Sequence, residues 1–276
     1  MNSLKGKSLK DKTIFITGAS RGIGLSIAQK AALEGANIII AAKTVERHPK
    51  LNGTIFTAAE SINSLGGKAF PAECDVRDEL AIKNAVQRGA DHFGGIDILI
   101  LNASSIFLTN TEKTEFKRWN LMHEVVLRGS FFTVQNCLPY LKKSKEPHIL
   151  ALCPPLNIQP KWLAPYLAYS LAKFGLSLSV TGWAEEFKDQ IKVNGLWPKT
   201  LIATAAVQNL LGGEAMIQKS RKPEIVADAA HWILTQNSVS GQLYLDEEII
   251  VDELKKDPNF YAVNPNEKPF PDIYVN

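Results

Sequence analysis

Cysteine is scarce in this 276-residue chain: Cys74, Cys137 and Cys153 are odd in number and far apart, which argues against a disulfide framework. Each lies in or beside an apolar segment, the setting of a reduced, buried thiol. Long apolar runs are also missing. The longest, such as Asn37–Ala42 and residues 96–101, are too short to span a bilayer, so no membrane is expected as a partner. Charge of one sign is not in excess. The formal net charge of +3 is too small to mark nucleic acid or an anionic surface as a partner. The five histidines (His48, His92, His123, His148, His231) show no metal-ligand spacing, so no metal is expected. Repeats and low-complexity tracts are absent, and the lysine-rich residues 1–12 lack the apolar stretch of a secretory signal, so a cytoplasmic protein is expected.

What is present is an ordinary globular composition, 45% hydrophobic and 21% charged, at a length that can bury a core as one unit. Thr13–Thr17 is a short β-branched run. A glycine-rich turn follows, then apolar residues at helical spacing (Ile27, Ala28, Ala31, Ala32), then the apolar run Asn37–Ala42. Strand, turn, helix and strand within about thirty residues make one βαβ unit. The alternation continues with strands over 68–74, 97–101, 148–153, 191–197 and 242–245. Helices are predicted over 79–93, 116–141, 164–187 and 223–235. Strands with few polar residues between helices predict an α/β fold, a single-domain doubly wound parallel sheet with helices on both faces. Residues 1–246 form this domain. Residues 43–56 lengthen the link after the second strand. Residues 247–276 form a tail whose aromatics (Phe260, Tyr261, Phe270, Tyr274) predict packing on the domain or on a neighbouring subunit.

The glycines of the first turn fall at Gly18, Gly22 and Gly24. Gly18 permits the exit from the strand, Gly22 lets backbone approach a pyrophosphate, and Gly24 lets helix pack on sheet. The helix start then offers free N–H groups and partial positive charge to phosphate. The second strand ends Ala41-Ala42-Lys43-Thr44, with no carboxylate to accept from a ribose 2′-hydroxyl. Lys43 and Arg21 are instead cations near where a 2′-phosphate would lie, so NADP is expected.

The stretch Thr17-Gly18-Ala19-Ser20-Arg21-Gly22-Ile23-Gly24, with Asp75, Asn102-Ala103 and Tyr169-Ser170-Leu171-Ala172-Lys173, resembles the short-chain dehydrogenase/reductase family over about residues 10–245. Within it the likeness is to the hydroxysteroid dehydrogenase-like 2 subgroup, carried by Ala41 to Thr44, His48-Pro49-Lys50-Leu51 and Leu196-Trp197-Pro198-Lys199-Thr200. The resemblance implies a Rossmann fold and an oxidoreductase acting on a carbonyl or alcohol. It also implies that Ser20 and Ile23 join the phosphate loop. Asp75 and Val76 would lie against the adenine, Asn102 and Ala103 would line the adenosine ribose, and Pro198, Ile202 and Thr204 would hold the nicotinamide end. The helices over 116–141 and 164–187 resemble those that pair subunits in this family, implying a homodimer or homotetramer.

Tyr169 and Lys173 stand four apart on a predicted helix, so they share one face. An ammonium ~6 Å from a phenol at an effective dielectric of ~20 favours the phenolate by roughly 3 kcal/mol, or about two pKa units. The expectation is that Lys173 brings Tyr169 into range for proton exchange and orients the cofactor through its ribose. Two departures from the family stand out. The substrate-orienting serine falls at Pro154, beside Cys153, and the helix asparagine gives way to Val125-Val126-Leu127-Arg128-Gly129. Losing one such donor costs about 10²–10³ in rate. Three outcomes stay open: slow turnover on Tyr169 and Lys173 alone, a replacement donor (Asn157, Trp162 or Tyr166), or NADP binding without catalysis. Leu156, Ile158, Trp162, Leu163, Leu201, Leu210 and Leu211 predict either an apolar cleft suited to a lipid-like substrate or the burial of their own loops.

Overall fold

The computed structural model describes residues 7–49, 51–236 and 239–275; Lys50 of the quoted likeness and residues 1–6 of the lysine-rich start lie outside them. Seven strands form one parallel sheet: β1 (Thr13–Thr17), β2 (Asn37–Ala42), β3 (Lys68–Glu73), β4 (Ile98–Leu101), β5 (His148–Leu152), β6 (Lys192–Trp197) and β7 (Leu243–Leu245). Their order across the sheet is β3-β2-β1-β4-β5-β6-β7. The chain therefore turns from one side of β1 to the other between β3 and β4. Such a switch point opens a crevice at the carboxyl ends of β1 and β4, where ligands bind in sheets of this kind.

Strand residues alternate between two cores. Phe15, Ile39, Leu99 and Ile149 face one layer, and Ile14, Ile38, Ile100 and Leu150 face the other, all fully buried. Each such side chain contributes about 1.5–3 kcal/mol of burial. The second layer is covered by α1 (Gly22–Leu33) and α2 (Ile55–Ser64), together with a helix after β6. The first is covered by α3 (Glu79–Phe93), by α4 (Phe116–His123) running into α5 (Gly129–Leu141), and by a long helix after β5. The helix expected over 116–141 carries a π-helical turn at Glu124–Arg128, which sends Val126 into the core. The helix expected over 164–187 is α7 (Leu167–Glu186), which starts three residues later and is preceded by a short α6 (Pro160–Leu163). Pro165 lies at the break and cannot donate to the helical ladder.

Beyond β6 come α8 (Ala205–Leu210), α9 (Glu214–Gln218) and α10 (Glu224–Thr235), which packs on α1. Residues 246–275 then return across the carboxyl end of the sheet. The N–H of Leu201 donates to Phe270 O at 2.9 Å, that of Asp272 to Lys199 O at 3.0 Å, and that of Phe270 to Lys219 O at 2.8 Å. Tyr261, Tyr274 and Val275 are buried. Among the described residues no helix is long and apolar enough to cross a membrane.

Candidate active site

The loop after β1 and the loop after β4 are laced together. The Thr17 hydroxyl accepts the N–H groups of Asn102 and Ala103, both at 3.0 Å. Asn102 Nδ2 donates to Thr17 O at 2.9 Å and Gly18 O at 3.1 Å. Gly18 sits at φ 67°, and a Cβ there would stand 2.9 Å from Ala103 Cα; at Gly24 it would stand 2.5 Å from Asn102 Nδ2. The backbone can be this close only because both positions lack a side chain. Arg21 gives α1 no side-chain cap, and no acid lies in the first turn, so the dipole and free N–H groups of α1 stay open to an anion.

These elements border a cavity of about 640 Å³ lined by Gly18, Ser20, Arg21, Gly22, Ile23, Lys43, Asp75, Val76, Asn102, Ala103 and Thr204. Gly24 stands behind it against Asn102. Lys43 is exposed at the edge. The Arg21 guanidinium is partly committed: Nε donates to Asn52 O at 2.8 Å and Nη2 to Gly53 O at 2.7 Å, which folds the link after β2 onto the phosphate loop. Sequence reasoning missed that lid, whose only signal was Asn52-Gly53. Asp75 is gripped by Arg77, with 2.6 Å between Oδ2 and Nη2, which holds its carboxyl below the usual range.

A second cavity, about 330 Å³, is lined by Tyr169 and Lys173. Tyr169 and Lys173 stand one turn apart on α7, each 3% exposed. Pro198, Leu201, Ile202 and Thr204 line it after β6, and Asn102, Ser104 and Ile106 after β4. Ile23, Asn102, Ser104, Ile106, Thr204 and Ala206 border both cavities, so the two adjoin. Lys173 Nζ donates to Leu152 O at 2.8 Å and lies 5.1 Å from the centroid of the Trp197 ring. Burial lowers its pKa to about 8, against the opposing influence of the Cys153 thiol and the Asp272 carboxyl.

The phenol departs from expectation. Burial raises Tyr169 well above its ordinary value, Tyr274 and Asp272 add to this, and a hydrogen bond with the Ser104 hydroxyl opposes it. Desolvation governs the phenol, in place of the downward pull expected from Lys173.

Around the pair, Cys153 is fully buried and burial pushes its thiol up to about 12, the state of an inert packing residue. Pro154 offers only its carbonyl, which accepts from Ser177 Oγ at 2.7 Å. Of the three replacement donors considered, Tyr166 lines the cavity. Asn157 instead donates to Tyr274 O at 3.2 Å, and Trp162 packs against the core. Ser104, which sequence reasoning passed over, lines it as well. Leu201 and Leu211 line the apolar side, joined by Met216 and residues 270–273 of the tail; Leu210 borders the first cavity, Leu163 packs on the core, and Ile158 is exposed.

A family model for short chain dehydrogenases matches residues 12–214. The chain is 53% identical over 265 residues to hydroxysteroid dehydrogenase-like protein 2 of Danio rerio, covering 96% of this chain and 64% of that one. It therefore spans less than two thirds of that relative's length. A crystal structure of a protein assigned as a dehydrogenase from Xanthomonas campestris superposes with a TM-score of 0.93 at 46% identity, covering 98% of this chain and 99% of the other. A short chain dehydrogenase of Mycobacterium thermoresistibile superposes at 0.91 and 45% identity, covering 98% and 96%. The chain belongs to the short-chain dehydrogenase family of oxidoreductases, which work with a nicotinamide cofactor.

Proposed function

We propose that this protein is an NADP-dependent oxidoreductase that interconverts a carbonyl and a secondary alcohol on an apolar, lipid-like substrate. The observation that carries this reading is that the glycine-lined cradle adjoins the cavity of Tyr169 and Lys173 across shared walls. Gly18, Ser20, Gly22 and Ile23 would hold the pyrophosphate at the start of α1. Asp75, Val76, Asn102 and Ala103 would hold the adenosine side, and Pro198, Ile202 and Thr204 the nicotinamide. Lys43, with the unengaged part of Arg21, favours a 2′-phosphate, since the end of β2 carries no carboxylate.

When bound, the nicotinamide supplies or accepts the hydride. Tyr169 gives its proton to the forming alkoxide, or takes one from an alcohol. Lys173 carries positive charge below about pH 8 and offsets part of the cost of the buried phenolate. Leu201, Leu211 and Met216 supply an apolar wall and exclude water. Buried free thiols at Cys74, Cys137 and Cys153 support a cytoplasmic setting. Exposed Phe131, Leu171 and Leu178 on α5 and α7 support assembly as a homodimer or homotetramer.

A second reading is an NADP-binding protein with little turnover. Pro154 in place of a donor, and a helix stretch over 125–129 without an asparagine, favour it. Following NADPH oxidation against a panel of apolar ketones and aldehydes separates the two. Turnover supports the enzyme; tight NADPH binding with no oxidation of any member supports the binder.

A further inference from the structure

The C-terminal strap is built into the catalytic cavity. Its residues 270–273 form part of the wall that Tyr169 and Lys173 share. Main-chain hydrogen bonds tie it to residues 199, 201 and 219. Side chains tie it further: Trp197 Nε1 donates to Ile273 O at 3.1 Å, Asn157 Nδ2 to Tyr274 O at 3.2 Å, and the hydroxyls of Tyr274 and Ser170 meet at 2.9 Å. A segment held this firmly delivers one charged side chain into the cavity, Asp272. Its Oδ1 accepts the N–H of Ile273 at 2.7 Å, which fixes the carboxyl group.

We propose that Asp272 is a positioning residue of the active site, a carboxylate brought by the strap to keep the ammonium of Lys173 charged inside the cavity. The inference rests on the reading of Tyr169 and Lys173 given above, and it deepens it. The physical need is plain. Lys173 is stripped of water, and the hydrogen-bond acceptor it meets among the described residues, Leu152 O, is neutral. The Trp197 ring contributes a weak attraction to a cation. A buried ammonium without a counter-charge loses its proton, and the phenol next to it then loses its support. The groups acting on Lys173 are the Cys153 thiol and the Asp272 carboxyl, and the thiol is held neutral by burial.

Asp272 in turn lies within the influence of Asp246, Tyr169, Tyr274 and Lys173. Burial and Asp246 raise its pKa to about 7, while the N–H of Ile273 and Lys173 draw it down. Asp246 is itself fully buried. Its Oδ1 accepts the N–H of Lys199 at 2.8 Å and that of Glu247, and Arg221 acts on it as a cation. Asp272 from the strap and Asp246 from the exit of β7 therefore act on one another, and Asp272 faces Lys173 across the cavity they both line.

The test uses the full chain carrying ¹³Cε-labelled lysine, with the Lys173 signal assigned by its loss in Lys173→Met. Its titration midpoint, near pH 8 in the wild type, should fall by about one pH unit or more in Asp272→Asn. Asp272→Glu should restore it. The reciprocal measurement follows the Asp272 carboxyl carbon, whose midpoint should rise in Lys173→Met; it decides the matter should Asp272→Asn fail to fold. An unmoved Lys173 midpoint in Asp272→Asn, or an unmoved Asp272 midpoint in Lys173→Met, overturns the role. Neither readout uses a substrate, so their failure is distinct from failure of Tyr169 in a turnover assay.

Discussion

The ring of Tyr274, in the strap, lies stacked on that of Tyr169, in α7, with centroids 6.5 Å apart and planes 16° from parallel. Trp162, Phe174 and Trp197 complete an aromatic shell around Tyr274, which is 1% exposed. The proposed proton donor is thus braced by the far end of the chain.

Removing that brace should be costly. Tyr274→Ala is expected to destabilise the fold by about 3–5 kcal/mol, because a buried aromatic leaves a cavity. Tyr274→Phe keeps the packing and loses the hydroxyl contact with Ser170, at about 1 kcal/mol. Urea unfolding of both variants checks the difference.

The brace was not legible in the sequence, whereas the βαβ unit was. Ile14 to Ile16, Gly18 to Gly24 and Ile38 to Ile40 carry local signals, strand propensity and glycine spacing, that neighbours three to seven residues away decide. That Tyr169 and Lys173 stand one turn apart on a helix was legible for the same reason. α2 left a signal that was passed over: Ile55, Ala58, Ala59 and Ile62 recur at helical spacing behind Thr54, whose hydroxyl accepts from Thr57 N. The contribution of Asp272, Ile273 and Tyr274 to the cavity depends on where the chain returns across the sheet, which no local pattern encodes. Ser104 was hidden by its ordinariness, since only the fold brings its hydroxyl to the phenol.

Lys43→Ala should weaken NADP binding by about tenfold and leave NAD nearly untouched, since a single charged contact to phosphate is worth about 1.4 kcal/mol or more. Fluorescence titration with both nucleotides measures the ratio. An equal loss for both removes Lys43 from the 2′-phosphate role.

Gly24→Ala should break the lacing between the loops. The new methyl would meet Asn102 Nδ2 at 2.5 Å and drive the amide from Thr17 O and Gly18 O. Two lost hydrogen bonds cost about 2 kcal/mol of stability. Thermal unfolding and calorimetric titration with NADP should both register the change, with cofactor affinity falling by about tenfold or more.

Stability should fall on the acid side through His148. Burial, with Lys192 and Lys7 nearby, lowers its pKa to about 3, and Nε2 accepts from Asn194 Nδ2 at 3.1 Å. The unfolded chain takes up this proton near pH 6.5 and the folded chain does not. Stability is therefore full above that value and declines as pH drops toward 3, by up to roughly 5 kcal/mol. His148→Gln should flatten this part of the curve in urea unfolding across pH 4–7.

The reading stands on Tyr169 as the group that exchanges a proton with substrate oxygen. The direct measurement is NADPH oxidation by Tyr169→Phe beside the wild type, on any ketone the wild type reduces, with NADPH affinity measured on the same samples. Turnover should drop by about 10² or more while affinity stays within a few-fold. Turnover equal to wild type, with the cofactor still bound, would contradict it.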